Sequence, residues 1–261
     1  MTATAIAPPP GLGAGERFLS LRFNQMPLDA VVAWVAARDA QSPFAYVVTP
    51  NVDHMVRLET SAAALRRAYE SADLCICDSR VLGRLAGMCG IDLPVVPGSD
   101  LTRELLAETF GPGDRLCLIG GTPEIARALA ELHPGLEIVQ HSPPMGLLHD
   151  PAARQAAIAF AAGARARAVL LAVGAPQQEL LAWEMRESKR VSGTGLCIGA
   201  SIDFLVGVQS RAPLAVRRAG FEWAWRLMTE PKRLWRRYLV DGPAIFPIVW
   251  RWARNRRRAS S

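Results

Sequence analysis

Arg115-Leu-Cys-Leu-Ile-Gly-Gly-Thr-Pro-Glu-Ile-Ala-Arg-Ala-Leu-Ala-Glu-Leu132 is the stretch that decides the fold. After its leading arginine, Arg115–Ile119 is apolar on both alternating faces, the pattern of a strand covered on both sides of a sheet. Glu124–Leu132 then places Ile125, Ala128, Leu129 and Leu132 at helical spacing. The four residues between them fit a sharp strand-to-helix turn. Gly120 and Gly121 permit unusual backbone angles, Thr122 suits the N-cap and Pro123 the first helical position. A buried strand running into a helix through a tight turn is the repeating unit of a parallel sheet covered by helices.

The same alternation extends in both directions. Ala45–Val48, Leu74–Cys77, Leu136–Val139, Ala168–Val173 and Gly195–Ile198 also read as buried strands. Leu28–Arg38, Ala62–Tyr69, Val81–Met88, Leu101–Phe110, Ala152–Ala162 and Gln178–Lys189 read as helices. The expected class is α/β, a Rossmann-like, mostly parallel sheet covered by helices. After Asp203 the pattern becomes helical only, and Pro213, Pro231 and Pro243 divide it into three pieces. The expected division is a disordered Ala/Pro/Gly-rich segment 1–15, a catalytic α/β domain 16–210 and a helical appendage 211–261. Segment 1–15 lacks the basic and apolar regions of a signal peptide.

The chain has 261 residues, half of them hydrophobic, which is enough for one sizeable core. Of its five cysteines, Cys75, Cys77, Cys117 and Cys197 lie in apolar runs without CxxC or zinc spacing and read as reduced, buried small hydrophobes in a cytoplasmic protein. No apolar run approaches the roughly 20 residues of a membrane span. Residues 211–261 carry 13 Lys/Arg against 3 Asp/Glu and five of the seven tryptophans, whereas residues 1–210 sum to −4. Charge with interleaved tryptophan suits a polyanionic surface, favouring lipid headgroups, with nucleic acid left open.

In an open parallel sheet, ligands bind beyond the carboxyl ends of the strands. The residues expected there are Thr49 to His54, Asp78 to Arg80, Gly120 to Pro123, Gly174 to Glu179 and Gly199 to Asp203. Gly120, Gly121 and Thr122, opening a helix, can hold a diphosphate on exposed N–H groups, or can be an ordinary tight turn. Asp78 follows the apolar run Leu74-Cys-Ile-Cys77. It fits a partly desolvated general base, and equally the N-cap of the next helix. His54 reads as a structural histidine, and Asp203 as a cap or structural acid. The chain contains no Asp-x-Asp, the usual hint of a metal that chelates a sugar diphosphate. Cations for a diphosphate would then come from arginine or lysine, most abundantly from the tail. No metal and no cofactor is expected. An oxidoreductase is a rival reading, weakened by the missing GxGxxG fingerprint. A nucleic-acid binder using the tail is another.

From about Phe18 to Val249 the chain resembles the WecG/TagA/CpsF family of bacterial glycosyltransferases. The resemblance rests on ordered blocks: Val48-Thr-Pro-Asn-Val-Asp-His54, Ala72-Asp-Leu-Cys-Ile-Cys-Asp78, Gly98-Ser-Asp-Leu101, Leu118-Ile-Gly-Gly-Thr-Pro123, Gly174-Ala-Pro-Gln-Gln-Glu179, Gly199-Ala-Ser-Ile-Asp-Phe204, and Arg211-Ala-Pro213 through Glu230-Pro-Lys-Arg233 to Arg237-Tyr238. It implies an inverting, metal-independent transfer of a sugar from a UDP-sugar to a polyprenyl-diphosphate-linked saccharide. The setting it implies is the cytoplasmic face of the membrane. It further implies that Asp78 is the catalytic base, that Thr49 and Asn51 line the pocket and that Gln178 contacts the sugar nucleotide. Arg226, Arg233 and Arg236 of the tail would stabilise the leaving diphosphate. Trp250, Trp252 and Arg254–Arg258 would face the bilayer. A homo-oligomer is compatible with this reading. The chain departs from the family in having Ser79 where glycine is common, Gln177 where lysine is common, and no arginine in Pro94-Val-Val-Pro97.

Overall fold

The computed structural model describes residues 15–60, 63–207, 212, 213, 216 and 221–259. Segment 1–14 and most of the tail's first helical piece lie outside these residues. The strands are β1 (Glu16–Phe18), β2 (Leu21–Phe23), β3 (Ala45–Val48), β4 (Leu74–Cys75), β5 (Arg115–Gly120), β6 (Glu137–His141), β7 (Ala168–Ala172) and β8 (Thr194–Cys197). Between them run α1 (Leu28–Ala36), α2 (Val52–Thr60), α3 (Ala63–Glu70), α4 (Arg80–Met88), α5 (Gly98–Glu104), α6 (Pro123–Leu132), α7 (Pro151–Ala164) and α8 (Gln177–Ser188). The helices α9 (Ser201–Leu205), α10 (Glu222–Thr229), α11 (Pro231–Trp235) and α12 (Ile245–Ala259) follow β8.

Six strands form one sheet in the order β4-β3-β8-β7-β5-β6, and every pairing in it is parallel. The expected α/β, Rossmann-like class is what forms. Two apolar layers sandwich the sheet, one containing Val48, Cys117, Ile119 and Val169, the other Val47, Leu116, Leu118 and Leu170. Alternate residues of each central strand enter opposite layers, so these strands read as continuous apolar runs. β6 differs from the buried strand expected at Leu136–Val139. It starts one residue later, pairs only with β5 and is half-exposed, because it forms an edge of the sheet.

Two elements lie outside those expected from the residues. β1 and β2 pair as an antiparallel hairpin through Leu19 and Ser20, with Leu19 at φ 56°. Three-residue strands joined by a turn without glycine or asparagine give no hairpin signature. α2 begins directly after Asn51, whose side-chain oxygen accepts from the Asp53 N–H at 3.1 Å and so caps the helix.

The tail ends on the body. Ile245, Ile248 and Val249 of α12 are buried in the main core, each worth about 1.5–3 kcal/mol of burial. Trp252 meets Phe18 of the hairpin edge-on, with ring centroids 5.3 Å apart. This corrects the expectation that Trp252 faces a bilayer, since the register of α12 turns it inward. Trp250 is 62 % exposed and carries Arg254 over its ring at 5.5 Å. Pro231 and Pro243 sit in first helical turns, as expected.

Candidate active site

The ends of β3 and β4 are tied together past the last formal strand residues. Ile76 N–H donates to Val48 O at 2.9 Å and Asp78 N–H to Pro50 O at 3.2 Å. On the other side, Val96 N–H donates to Cys77 O at 2.8 Å. Apolar Leu74–Cys77 therefore delivers Asp78 to the carboxyl edge of the sheet, beside Asn51.

The cap of α4 is Ser79, whose hydroxyl accepts from Leu82 N–H at 3.3 Å. Asp78 is thereby released from capping and turned inward. Its Oδ1 accepts from Gly98 N–H at 2.6 Å, and the Asn51 side chain also hydrogen-bonds it. Burial pushes its carboxyl up from the ordinary value to about 6, and Glu222 adds to the rise. The Gly98 N–H, the Asn51 side chain and Arg226 pull in the other direction. A carboxyl poised there is charged at neutral pH and still basic enough to take a proton.

Gly98 leaves room for this arrangement. A Cβ there would stand 3.1 Å from Thr49 Oγ1 and 3.6 Å from Ser201 Oγ. Thr49 is buried and donates to Cys197 O at 3.4 Å. Gly98→Ala is expected to shift the Gly98 N–H or the Thr49 hydroxyl by a few tenths of an ångström. Turnover should fall by up to about tenfold, checked by initial rates beside a native far-UV circular dichroism spectrum.

The turn after β5 forms as its residues suggest. Gly120 and Gly121 have φ 104° and 65°, and a Cβ on Gly120 would stand 2.8 Å from Ala172 O. Thr122 caps α6 by accepting from Ile125 N–H. The two glycine carbonyls accept from Gln140 Nε2 and Ser142 Oγ, each at 2.9 Å. α6 packs beside α9, so this turn lies at the same edge of the sheet as the residues after β8.

Gln178 is only 3 % exposed. Its oxygen accepts from Gly199 N–H at 3.0 Å and its nitrogen donates to Glu179 Oε1 at 2.9 Å. In this structure it anchors the Gly199 turn, and a contact with a sugar nucleotide through that oxygen would break the anchor. Fully buried Glu179 is pushed up to about 7 by desolvation. His54 is buried and held down to about 3, by desolvation first and then by Arg237 and Arg57, which fits a structural role.

The tail closes over this edge through α10, from which Glu222 and Arg226 act on Asp78. The Arg226 guanidinium lies over the Phe204 ring at 5.3 Å, and its Nε is buried without a hydrogen-bond partner. Trp225 Nε1 is in the same condition. A buried donor without a partner suits a ligand that supplies an acceptor. Arg236 is exposed, and the side chain of Arg233 lies outside the described residues. Arg237, which was not among the arginines expected at the diphosphate, also reaches the body. Its Nε stands 3.3 Å from Asp53 Oδ2, and one terminal nitrogen donates to Asn51 Oδ1 at 3.4 Å. Asp53 pairs with Arg57 as well, at 3.1 Å. Among the described residues, no group of three or more His, Cys, Asp or Glu is placed to hold a metal ion.

A family model described as the glycosyl transferase WecG/TagA/CpsF family matches residues 16–259.

Proposed function

We propose, from the premise that the chain belongs to the WecG/TagA/CpsF glycosyl transferase family and so serves cell-envelope polysaccharide synthesis, that it is an inverting UDP-sugar transferase with Asp78 as its base. Asp78 takes the proton of an acceptor hydroxyl. That oxygen attacks the anomeric carbon on the face opposite UDP, the bond to the diphosphate oxygen breaks, and the configuration inverts. The proton stays on Asp78, and the departing diphosphate carries the displaced electron pair. Arg226, held over Phe204 beside Asp78, offsets that charge, with Arg233 and Arg236 further along the tail. The Gly120–Thr122 turn receives the nucleotide phosphates, and Thr49 and Asn51 line the pocket. The observation that carries this reading is the position of Asp78: released from capping by Ser79, desolvated, and faced by Arg226.

The acceptor is a polyprenyl-diphosphate-linked saccharide, and the donor sugar is of the N-acetylmannosamine type, its uronic acid, or a hexose. A UDP-release screen across these donors with a lipid-linked acceptor extract tests the proposal. Release that needs both substrates supports it, and no release with any donor would overturn it.

Work on such an acceptor calls for a membrane surface. Among the described residues no helix is long and apolar enough to cross a membrane. The tail does present Phe221, Met228, Trp235, Leu239, Phe246 and Trp250 exposed, among exposed arginines. This composition fits peripheral attachment to an anionic leaflet, on its cytoplasmic side. Binding to phosphatidylglycerol vesicles is expected at low salt and should weaken as salt rises. Trp250→Ser combined with Arg254→Gln and Arg257→Gln should lower it at least tenfold, at about 1 kcal/mol per arginine. These variants leave the buried face of α12 intact, which deleting the tail would not. Absence of binding at low salt would remove the membrane role.

A further inference from the structure

Arg237 lies at the second position of a π-helical turn, Arg236–Asp241, that links α11 to α12. Such turns interrupt helices where a side chain must be re-aimed, often at functional sites. Here the turn aims a guanidinium at the start of α2, where it meets Asp53 and Asn51.

Asn51 has one side-chain oxygen and one NH2 group, and their assignments follow from its partners. The oxygen caps α2 by accepting from Asp53 N–H at 3.1 Å and also accepts from Arg237 at 3.4 Å. With the oxygen held twice on the α2 side, the NH2 group is turned toward the Asp78 carboxylate, which can only accept. Glu222 and Arg226 of α10 act on Asp78 directly, whereas Arg237 is joined to it through the shared partner Asn51.

We propose that Arg237 is a positioning residue of the transfer reaction, holding the Asn51 oxygen so that the amide N–H stays on Asp78 and thereby linking the docked tail to the base. The inference rests on the reading of Asp78 as the base. It gives the tail a second task at the site, distinct from offsetting charge on the leaving group. Loosening the Asn51 N–H removes a bond that favours the charged carboxylate, so the Asp78 midpoint must rise.

The test needs no substrate. In the full-length chain labelled with carboxyl-¹³C aspartate, the Asp78 resonance is assigned by its loss in Asp78→Asn and titrated. The native midpoint is expected near 6. Arg237→Ala should raise it by about half to one pH unit, as expected for a weakened hydrogen bond to a charged group. Arg237→Lys keeps one donor and should fall between, and it stands in if the alanine variant does not fold. Asn51→Ser keeps a competent cap but has no N–H to offer, and should raise the midpoint at least as far. Adding the Arg237 substitution to Asn51→Ser should then give no further rise. A native midpoint in the Arg237 variants, or shifts that simply add in the double variant, would overturn the proposal. Failure of the underlying reading shows separately, as retained transfer by Asp78→Asn.

Discussion

Asp78→Asn is expected to reduce glycosyl transfer by about 10²–10⁴-fold, the usual contribution of a positioned general base, in a protein that remains folded. The amide is nearly isosteric and keeps an oxygen to accept from Gly98 N–H, the bond that measures 2.6 Å in the native site. It cannot take a proton from an acceptor hydroxyl. In the native enzyme, kcat/KM should decline as pH falls through about 6, because the base is lost on protonation. Stability should move the opposite way. The Asp78 pKa is raised on folding from about 3.8 to about 6, so its contribution to stability is full below the lower value and lost as pH rises through the higher. At pH 8 the native chain therefore bears a cost that asparagine does not. With partial solvent contact that cost is on the order of 1 kcal/mol, or about 2–4 °C in Tm. Asp78→Asn should thus melt higher than the native protein at pH 8, with the gap closing toward pH 4. A lower Tm at pH 8 would mean that Asp78 serves folding, and retained turnover would mean that it is not the base.

Five of the six strands of the main sheet were legible because burial on both faces leaves little room for polar residues, and continuous apolar runs result, whereas the half-exposed edge strand β6 departs from that pattern. The turn at Gly120–Thr122 was legible because its backbone demands glycine, a cap and a proline in that order. The β1–β2 hairpin was not, since its folding signal lies in packing: Phe18, Leu21 and Phe23 are buried in the main core, and Phe18 meets Trp252 of the returning α12. α2 had one usable local signal, Asn51 followed by an acidic first turn, but Thr49–His54 was read as an edge loop. Residue types alone left Asp78 between base and cap. The hydroxyl of Ser79 takes the cap of α4 and so removes the capping reading, which leaves the base as the proposed role. The tail arginines show the limit most plainly. Whether Arg236 or Arg237 faces the body depends on the π turn from Arg236, which changes the helical phase without a residue signature.

Arg226→Ala is expected to lower kcat by about 10²–10³-fold, the range for removing one preorganised group that stabilises developing charge. Stacking over Phe204 fixes the plane of the guanidinium before substrate arrives, and the unpartnered, buried Nε is ready to donate. Arg226→Lys keeps the charge but loses the planar fork and the stacking, and should recover only part of the rate. Arg236→Ala removes an exposed side chain and should cost less than about tenfold. A second effect of Arg226 must be separated from the first. Its charge lowers the Asp78 pKa, so Arg226→Ala also moves the acidic limb of the pH profile upward. At pH 8.5 Asp78 is deprotonated in either protein, and a defect due only to the base would vanish there. A loss on the leaving group persists at every pH. Stability supplies an independent reading: an orphaned buried donor costs about 1–3 kcal/mol, so its removal should leave Tm level or raise it while turnover falls. Full recovery of kcat at pH 8.5 would assign Arg226 to tuning Asp78 and leave the departing diphosphate to other groups of the tail.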